Sequence, residues 1–360
     1  MGGIRGWDQR VTSARSLEFV IPGDLETPTG GYGYDRRIIA GLRARGWRVT
    51  VRTLDASFPL PSHAALDDAQ MQFAQLPEQA LVLIDGLALG AMPRIAQAHA
   101  ARLRLVALVH HQLAAERGLA PDLALDLARS ERLALAAVRH VIVTSNATQH
   151  ALRKLGVEPP RVSVVEPGTD AAPLARRVRG ETLKILCVAT LIPRKGHDLL
   201  VNALAALRPL RWHLTCIGSL TRDPETVAQL RAQLQRLDLE ERVTFAGEMS
   251  AAELSRVYGD TDLFVLPTHF EGYGMVVAEA LAHGLPVIST RVGAIADLVG
   301  TAAGLLVAPG DGDLLQEALT RVLLEPGLLD SLAAGATTMR SRLPDWQQAC
   351  ARMAQILERQ

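Results

Sequence analysis

Short apolar runs rich in β-branched residues alternate with longer Ala/Leu/Arg segments along most of the chain. This alternation is typical of parallel sheets covered by helices on both faces. A first series of strands is predicted over residues 17–21, 49–54, 81–84, 105–109, 141–144 and 162–165. A second series is predicted over residues 183–188, 212–217, 243–246, 263–266, 287–289 and 304–307. The pattern therefore predicts an α/β protein with two doubly wound units.

Residues 166–181, between the two series, show neither helical nor strand periodicity. They hold two prolines, a glycine and three arginines: Pro167, Gly168, Pro173, Arg176, Arg177 and Arg179. We predict an interdomain linker here and interpret the arginines as a solvated turn, with phosphate binding as the alternative. The predicted organisation is a first domain over 1–168, a linker over 169–181, a second domain over 182–342 and a final helical segment over 343–360.

Composition restricts the classes of function. Lys plus Arg and Asp plus Glu number 38 each, so no global field draws the chain to nucleic acid or to an anionic membrane. No apolar stretch reaches the roughly 18 residues of a membrane helix, and Met1 to Arg15 lack the apolar core of a signal peptide. We therefore expect a cytoplasmic protein with no nucleic-acid partner and at most peripheral membrane contact.

The first candidate motif is Thr-Pro-Thr-Gly-Gly-Tyr-Gly at 27–33, which follows the first strand and opens a predicted helix. Glycines at such a turn let a phosphate approach the backbone, and the helix N-terminus supplies unpaired N–H groups. Eight residues separate Ile21 from Gly30, which does not match a dinucleotide-binding loop. Gly30 and Gly31 are compatible with a ligand loop and equally with an ordinary turn.

Two histidines, His110 and His111, follow the predicted strand 105–109 at its C-terminal edge. Open α/β sheets bind ligands at this edge. A histidine here suits a hydrogen bond to a hydroxyl or a proton transfer near neutral pH, and a capping role is the alternative. Glu116, a few residues later, suits a helix surface equally well.

Two adjacent cations, Arg194 and Lys195, precede Gly196 at the predicted turn between a strand and a helix. Such a pair suits a diphosphate, because arginine offers a planar fork of donors and lysine a point charge. A charged surface loop is the alternative interpretation.

The most informative motif is His-Phe-Glu-Gly-Tyr-Gly-Met-Val-Val-Ala-Glu-Ala-Leu at 269–281. Glu271 lies in a glycine-rich loop after an apolar strand, and Glu279 lies in a helix predicted to start near Gly274. The loop amides and the helix N-terminus suit an anion, with one carboxylate on either side of it. An ordinary surface glutamate does not explain Glu279, because the surrounding helix is apolar.

The Glu-x7-Glu spacing within Phe-Glu-Gly-Tyr-Gly-Met resembles the signature of retaining glycosyltransferase family 4. The resemblance implies the GT-B fold: two Rossmann-like domains facing across a cleft, with a C-terminal helix that crosses back to the N-domain. It implies an acceptor-side domain over 1–168 and a nucleotide-sugar donor domain over 182–342. The implied catalytic residues are His110, Glu271 and Lys195. The implied donor-binding residues, to which we add Arg194, are Gly30, Gly31, Lys195, Gly272, Tyr273, Gly274, Met275 and Glu279.

Two departures from the family pattern concern charge. Relatives often have Gly-Arg where this chain has Ala189 and Thr190, so we expect Arg194 to supply the missing cation to the diphosphate. Relatives also often have Gly-Gly-x-Pro-Glu where this chain has Gly-Ala-Ile-Ala-Asp at 293–297, so the shorter Asp297 replaces the glutamate. Asp-Thr-Asp at 260–262 resembles the Asp-x-Asp of metal-dependent sugar transferases, but a junction between a helix and a strand explains it better.

We therefore expect a metal-independent retaining glycosyltransferase that needs no cofactor. Its donor is a nucleotide diphosphate sugar, and its acceptor is a carbohydrate, a lipid-linked molecule or a small molecule. The alternatives are another GT-B enzyme acting on nucleotide sugars, such as an epimerase or a phosphorylase-like enzyme, and a catalytically silent nucleotide-sugar binding protein. An NAD-dependent oxidoreductase is disfavoured by the spacing before Gly30.

Overall fold

The computed structural model describes residues 15–116, 118–176 and 180–360. The predicted N-terminal features at 1–14, and Arg177 and Arg179 of the basic cluster, lie outside these residues. Among the described residues, no helix has the length and the apolar character that a membrane crossing requires.

Every predicted strand is present, within one or two residues of its predicted bounds. The strands of the first half are β1 (Ser16–Pro22), β2 (Arg48–Leu54), β3 (Leu81–Asp85), β4 (Arg104–Val109), β5 (His140–Val143) and β6 (Val162–Val164). Those of the second half are β7 (Leu183–Val188), β8 (Trp212–Ile217), β9 (Val243–Gly247), β10 (Leu263–Leu266), β11 (Val287–Thr290) and β12 (Gly304–Val307). Their apolar runs were predictable because most of these strands are buried on both faces.

Helices connect the strands in the α/β pattern that the sequence predicts. In the first half they are α1 (Gly30–Ala44), α2 (His63–Ala74), α3 (Gly86–Leu89), α4 (Pro93–His99), α5 (Pro121–Ala137) and α6 (Asn146–Arg153). In the second half they are α7 (His197–Ala205), α8 (Pro224–Leu237), α9 (Ala251–Gly259), α10 (Met275–Ala282), α11 (Ile295–Val299), α12 (Gly312–Leu324), α13 (Leu328–Arg340) and α14 (Trp346–Leu357). Single 3-10 turns occupy Leu113–Ala115, Pro159–Arg161 and Pro193–Lys195.

The strands form two six-stranded sheets, ordered β2-β1-β3-β4-β5-β6 and β12-β11-β10-β7-β8-β9. In the second sheet β10 pairs in parallel with β7, through Leu263 opposite Ile185 and Phe264 opposite Leu186. The strand order reverses at this pair, so the loops after β7 and β10 leave the same carboxyl edge in opposite directions. Such a switch point is where open α/β sheets bind ligands.

The chain divides into two compact units. The first contains residues up to Leu108, Ser130–Val141 and Cys350–Gln360, and the second contains Val109–Arg129 and Ile142–Ala349. In the first unit the end of α14 packs on α1, where Cys350 Sγ lies 3.6 Å from the Arg37 carbonyl oxygen. Gly41 of α1 makes room for this thiol, because a Cβ at that position would clash with Cys350 Sγ. The last residues of the chain therefore complete the core of the first unit.

Candidate active site

The turn after β7 and the loop after β10 contact each other through their backbones. Gly196 has φ +71°, and a Cβ there would clash with the Pro267 carbonyl oxygen. The His269 amide donates to the Arg194 carbonyl at 2.8 Å, and Thr268 Oγ1 donates to the same oxygen at 3.2 Å. Glycine is required at 196 because the turn combines a left-handed conformation with this close approach.

This contact brings together two residues that the sequence predicted for the site. Lys195 Nζ lies 2.6 Å from Glu271 Oε2, and the two side chains are 13% and 17% exposed. Burial works against ionisation of Glu271, but the charges of Lys195 and Arg194 outweigh it and hold the pKa of this carboxyl below its usual value. The pair is therefore charged on both sides and shielded from most of the solvent.

Arg194 is held by two hydrogen-bond acceptors and by one further carboxylate in the second unit. Its Nε donates to Glu116 Oε1 at 3.0 Å, its Nη1 donates to the Phe270 carbonyl at 2.8 Å, and Nη1 lies 3.9 Å from Glu271 Oε2. The guanidinium thus fixes the peptide that immediately precedes Glu271. It is oriented by protein groups before any ligand is present.

Glu116, whose sequence context also suits a helix surface, follows the 3-10 turn Leu113–Ala115. His111 Nε2 lies 3.7 Å from Glu116 Oε2. The neighbouring His111 side chain lowers the pKa of Glu116 to about 2, with Arg194 adding to the effect and burial opposing it. Glu116 is therefore ionised throughout the neutral range, and it links the segment after β4 to the cationic turn.

His110 lies directly after β4, and its backbone is packed against the loop after β10. Gly272 allows this, because a Cβ there would clash with the His110 carbonyl oxygen. The Ser145 hydroxyl, which caps α6, donates to the Gly272 carbonyl at 3.0 Å. The His110 segment and the Glu271 loop therefore lie side by side.

The loop from Glu271 to Gly274 turns tightly into α10. Gly274 has φ +94° and caps α10 without a side-chain hydrogen bond to the first amides. Gly293 supports the loop from the other side, since a Cβ there would clash with the Glu271 carbonyl oxygen. The α10 N-terminus thus offers backbone donors beside Glu271, an arrangement that suits an anion.

A cavity of about 100 Å³ adjoins Glu271 and is lined by His111, Gln112, Ala147, Thr148, Ala151, Phe270, Glu271 and Gly293. A larger hollow of about 550 Å³ lies against β12 and α12, and none of its lining residues was predicted for the site. We take the small cavity as part of the site because the Glu271 carboxylate forms one of its walls.

Glu279 lies one turn further into α10, and Tyr258 Oη donates to its Oε2 at 3.1 Å. Burial raises the pKa of Glu279 to about 7, with the Tyr258 hydrogen bond acting in the opposite direction. The carboxyl therefore titrates near neutrality, which is unusual for a glutamate and common at functional sites.

Other sequence-predicted residues take ordinary structural positions. Gly30 and Gly31 are the first residues of α1 in the first unit, where Thr29 caps the helix, and a Cβ at Gly30 would meet nothing within 4 Å. Asp262 lies between α9 and β10, where its Oδ2 accepts from the Lys184 amide at 2.9 Å. The interpretation of the Asp-x-Asp sequence as a helix-to-strand junction is thus confirmed. Asp297 lies exposed in α11.

Comparison with known proteins decides the family. Residues 36–172 match the model described as Glycosyltransferase Family 4, and residues 182–325 match the one described as Glycosyl transferases group 1. The chain belongs to this family of glycosyltransferases. It is 31% identical over 260 residues to a D-inositol 3-phosphate glycosyltransferase of Actinosynnema mirum, an alignment that covers 64% of this chain and 62% of the relative. A protein of the same name from Mycobacterium marinum is 30% identical over 258 residues, which cover 66% of this chain and 53% of the relative. The chain thus spans less than two thirds of the length of these relatives.

Solved structures show that this glycosyltransferase has the GT-B fold. Sucrose-phosphate synthase from Thermosynechococcus elongatus superimposes with a TM-score of 0.81 at 21% identity, over 96% of this chain and 98% of the other. Anabaena HepE in complex with UDP-glucose superimposes with a TM-score of 0.77 at 20% identity, over 96% and 100% of the two chains. The predicted fold class is confirmed by these superpositions.

Three residues of the candidate site were missed or left unassigned by sequence reasoning: Glu116, Ser145 and Tyr258. Ser145 carries a recognisable signal as a helix cap, because its side chain accepts from the Thr148 amide, but nothing local indicates its bond to Gly272. Tyr258 is a buried aromatic residue at the end of α9, which by pattern alone belongs to the core. Their partners became visible only in the fold.

Proposed function

We propose that this glycosyltransferase transfers a sugar from a nucleotide diphosphate sugar to an acceptor hydroxyl, with retention of anomeric configuration and without a divalent metal. The observation that carries the proposal is the buried Lys195–Glu271 pair beside the N-terminus of α10. A cation, a carboxylate and a set of free helix amides meet there, and these are the groups that a sugar diphosphate requires.

Each part of the donor has a counterpart among these groups. Lys195 and the α10 amides of the segment Gly274–Met275 bind the diphosphate, and Arg194 adds charge from the same turn. Glu271 accepts hydrogen bonds from the sugar hydroxyls, and Glu279 accepts from the ribose diol. In this arrangement Lys195 and Glu271 contact neighbouring parts of the donor, as they contact each other in the structure.

The reaction breaks the bond between the anomeric carbon and the β-phosphate oxygen and forms one to the acceptor oxygen. Negative charge grows on the leaving diphosphate, where Lys195, Arg194 and the helix amides stabilise it. The acceptor proton leaves with the departing phosphate oxygen or through His110, which we assign to positioning the sugar or the acceptor. Both front-face attack and double displacement retain configuration.

We propose no resident cofactor and a cytoplasmic location with at most peripheral membrane contact. The acceptor is a carbohydrate, a lipid-linked molecule or a small molecule. Inositol 3-phosphate belongs in any acceptor panel, because relatives that align with this chain carry it in their names.

A thermal-shift panel of UDP, GDP, ADP, TDP and their glucose derivatives tests donor binding. A ligand at 100 times its dissociation constant stabilises the native state by about 2.7 kcal/mol. Incubation of the stabilising donor with the acceptor panel, followed by NMR of the product, tests the reaction, and an α-linked product from an α-linked donor is expected.

The rival functions give different products. An inverted linkage overturns retention, an isomerised nucleotide sugar indicates an epimerase, and phosphate-dependent release of sugar 1-phosphate indicates a phosphorylase-like enzyme. Strong stabilisation by a nucleotide sugar without turnover on any acceptor indicates a silent binding protein.

A further inference from the structure

The carboxylate of Glu279 is isolated in an apolar stretch of α10, where Ala278 and Ala280 on either side are buried. Its partner comes from a different helix, because Tyr258 at the end of α9 donates its hydroxyl to Glu279 Oε2 at 3.1 Å. The Val276 carbonyl lies 3.3 Å from the same hydroxyl. A phenol has one proton to donate, and the ionised carboxylate is the stronger acceptor.

The ring of Tyr258 is held in place by packing. The side chain is 2% exposed, and its ring stacks on His283 with centroids 5.0 Å apart and planes at 16°. Phe264 of β10 lies against it with a centroid distance of 6.1 Å. The position of the hydroxyl is therefore fixed by the core and does not depend on the carboxylate it contacts.

We propose that Tyr258 is a positioning residue that orients Glu279 for the ribose diol and keeps it in the ionised form that accepts both hydroxyls. This rests on the nucleotide-sugar function proposed above. A carboxylate has about four acceptor sites, so one hydrogen bond from Tyr258 leaves capacity for two ribose hydroxyls. A protonated Glu279 has fewer acceptor sites, and its own O–H donor would face the hydroxyl donors of the diol.

The charged neighbours of Glu279 decide when it ionises. Burial favours the neutral acid and raises the pKa of Glu279 to about 7, Tyr258 counteracts this, and Asp170 from the segment after β6 adds to it. Deleting the Tyr258 hydroxyl therefore raises the pKa of Glu279, and removing the Asp170 charge lowers it.

The groups behind Tyr258 do not compete in this titration. Burial lowers the pKa of His283, and Arg340 of α13 lowers it further, so His283 is neutral where Glu279 titrates. Burial raises the pKa of the Tyr258 phenol, and the charges of Glu279 and of Cys187 in β7 add to this effect. Tyr258 thus remains a hydrogen-bond donor across the pH range in which Glu279 titrates.

The first experiment needs no ligand. Carboxyl carbons are followed by ¹³C NMR in glutamate-labelled protein, and Glu279→Gln identifies the Glu279 resonance. We expect its midpoint to rise by about one pH unit in Tyr258→Phe, the scale of one charge-assisted hydrogen bond, and to fall in Asp170→Asn. Tyr34→Phe, which removes a buried hydroxyl in the first unit, is the matched control and leaves the midpoint unchanged.

The second experiment measures the dissociation constant of UDP-glucose by calorimetry from pH 5.5 to 9. Below the midpoint, affinity falls about tenfold per pH unit if only ionised Glu279 binds the diol. The affinity profile is expected to shift with the NMR midpoint in each variant, upward for Tyr258→Phe and downward for Asp170→Asn. If Tyr258 serves only to pack the core, Tyr258→Phe lowers thermal stability but leaves both the NMR midpoint and the affinity profile unchanged.

An unshifted carboxyl midpoint in Tyr258→Phe overturns the proposal, whether or not the protein transfers sugars. The proposal is also overturned if the NMR midpoint shifts but the pH dependence of UDP-glucose affinity does not shift with it. Tyr258 would then act on a carboxylate that does not serve binding. Failure of the wild-type protein to bind or transfer from any nucleotide sugar refutes the proposed function. The NMR titration needs no ligand, so it still shows whether Tyr258 controls the ionisation of Glu279 in that case.

Discussion

Lys195 Nζ and Glu271 Oε2 lie only 2.6 Å apart and form an ion pair. One group comes from the turn after β7 and the other from the loop after β10, and the two residues are 76 positions apart in sequence. In the proposed function, the diphosphate of the donor contacts Lys195 and its sugar contacts Glu271. Substitutions of the carboxylate therefore have separable effects on binding and on turnover.

Glu271→Gln is expected to lower kcat by roughly 10²-fold, the typical loss for one preorganised group at a reaction centre. Nucleotide affinity should be retained or improved, because Lys195 loses a competitor. Glu279→Gln should instead weaken nucleotide binding by about 10- to 100-fold. Steady-state kinetics and calorimetry measure the two effects, and equal, purely affinity-based losses in both variants would contradict the division of roles.

Arg194→Ala is expected to reduce kcat/KM by about ten- to a hundredfold, since one charge-assisted contact is worth about 1.5 to 3 kcal/mol. Arg194→Lys should recover only part of the loss, because lysine cannot hold Glu116 and the Phe270 carbonyl together. Thr190→Arg in the Arg194→Ala background should restore activity if both positions serve one phosphate. Kinetics unaffected by Arg194→Ala would make Arg194 a residue with no role at the site.

Glu116→Gln tests whether the ion pair between Glu116 and Arg194 stabilises the protein, through the pH dependence of its stability. The pKa of Glu116 is depressed to about 2, so its contribution to stability is present above the unfolded value near 4.5 and is lost as pH falls towards 2. Wild type should therefore lose more stability than Glu116→Gln across this window, as measured by urea unfolding at each pH. Parallel stability curves for the two proteins would show that the ion pair contributes nothing.

His110→Ala should impair turnover more than His111→Ala. Successive residues leaving a strand point to opposite sides, and His111 faces Glu116 and the ring of Phe270, whose centroid lies 5.8 Å away. Turnover with the stabilising donor at saturation measures the ranking. The reverse ranking would transfer the predicted role to His111.

Transfer should continue in the presence of EDTA, because we assign the neutralisation of the leaving diphosphate to Lys195, Arg194 and the α10 amides. Product formation is compared in protein treated with EDTA, with and without added manganese or magnesium. Abolition by EDTA and rescue by manganese would refute the proposed metal independence.

Local pattern predicted the strands well because each is a short apolar run bounded by breakers. It also made Lys195 and Glu271 candidates, since both lie in glycine-containing turns at strand ends, and the family resemblance then suggested their roles. It did not predict the network between them. Glu116 and Arg194 are 78 positions apart, and Ser145 and Gly272 are 127 apart. Such partnerships depend on which strands become neighbours, and no local periodicity carries that information.

The packing of Cys350 against α1 also bears on how the protein is made. The first unit receives its final contribution from residues 350–360, so the contact of Gly41 with Cys350 forms only after the intervening residues have been synthesised. The second unit has its own sheet and core within 142–349. Order of synthesis and order of completion therefore differ between the two units: most of the first unit precedes the second along the chain, but its core is completed by residues that follow the second.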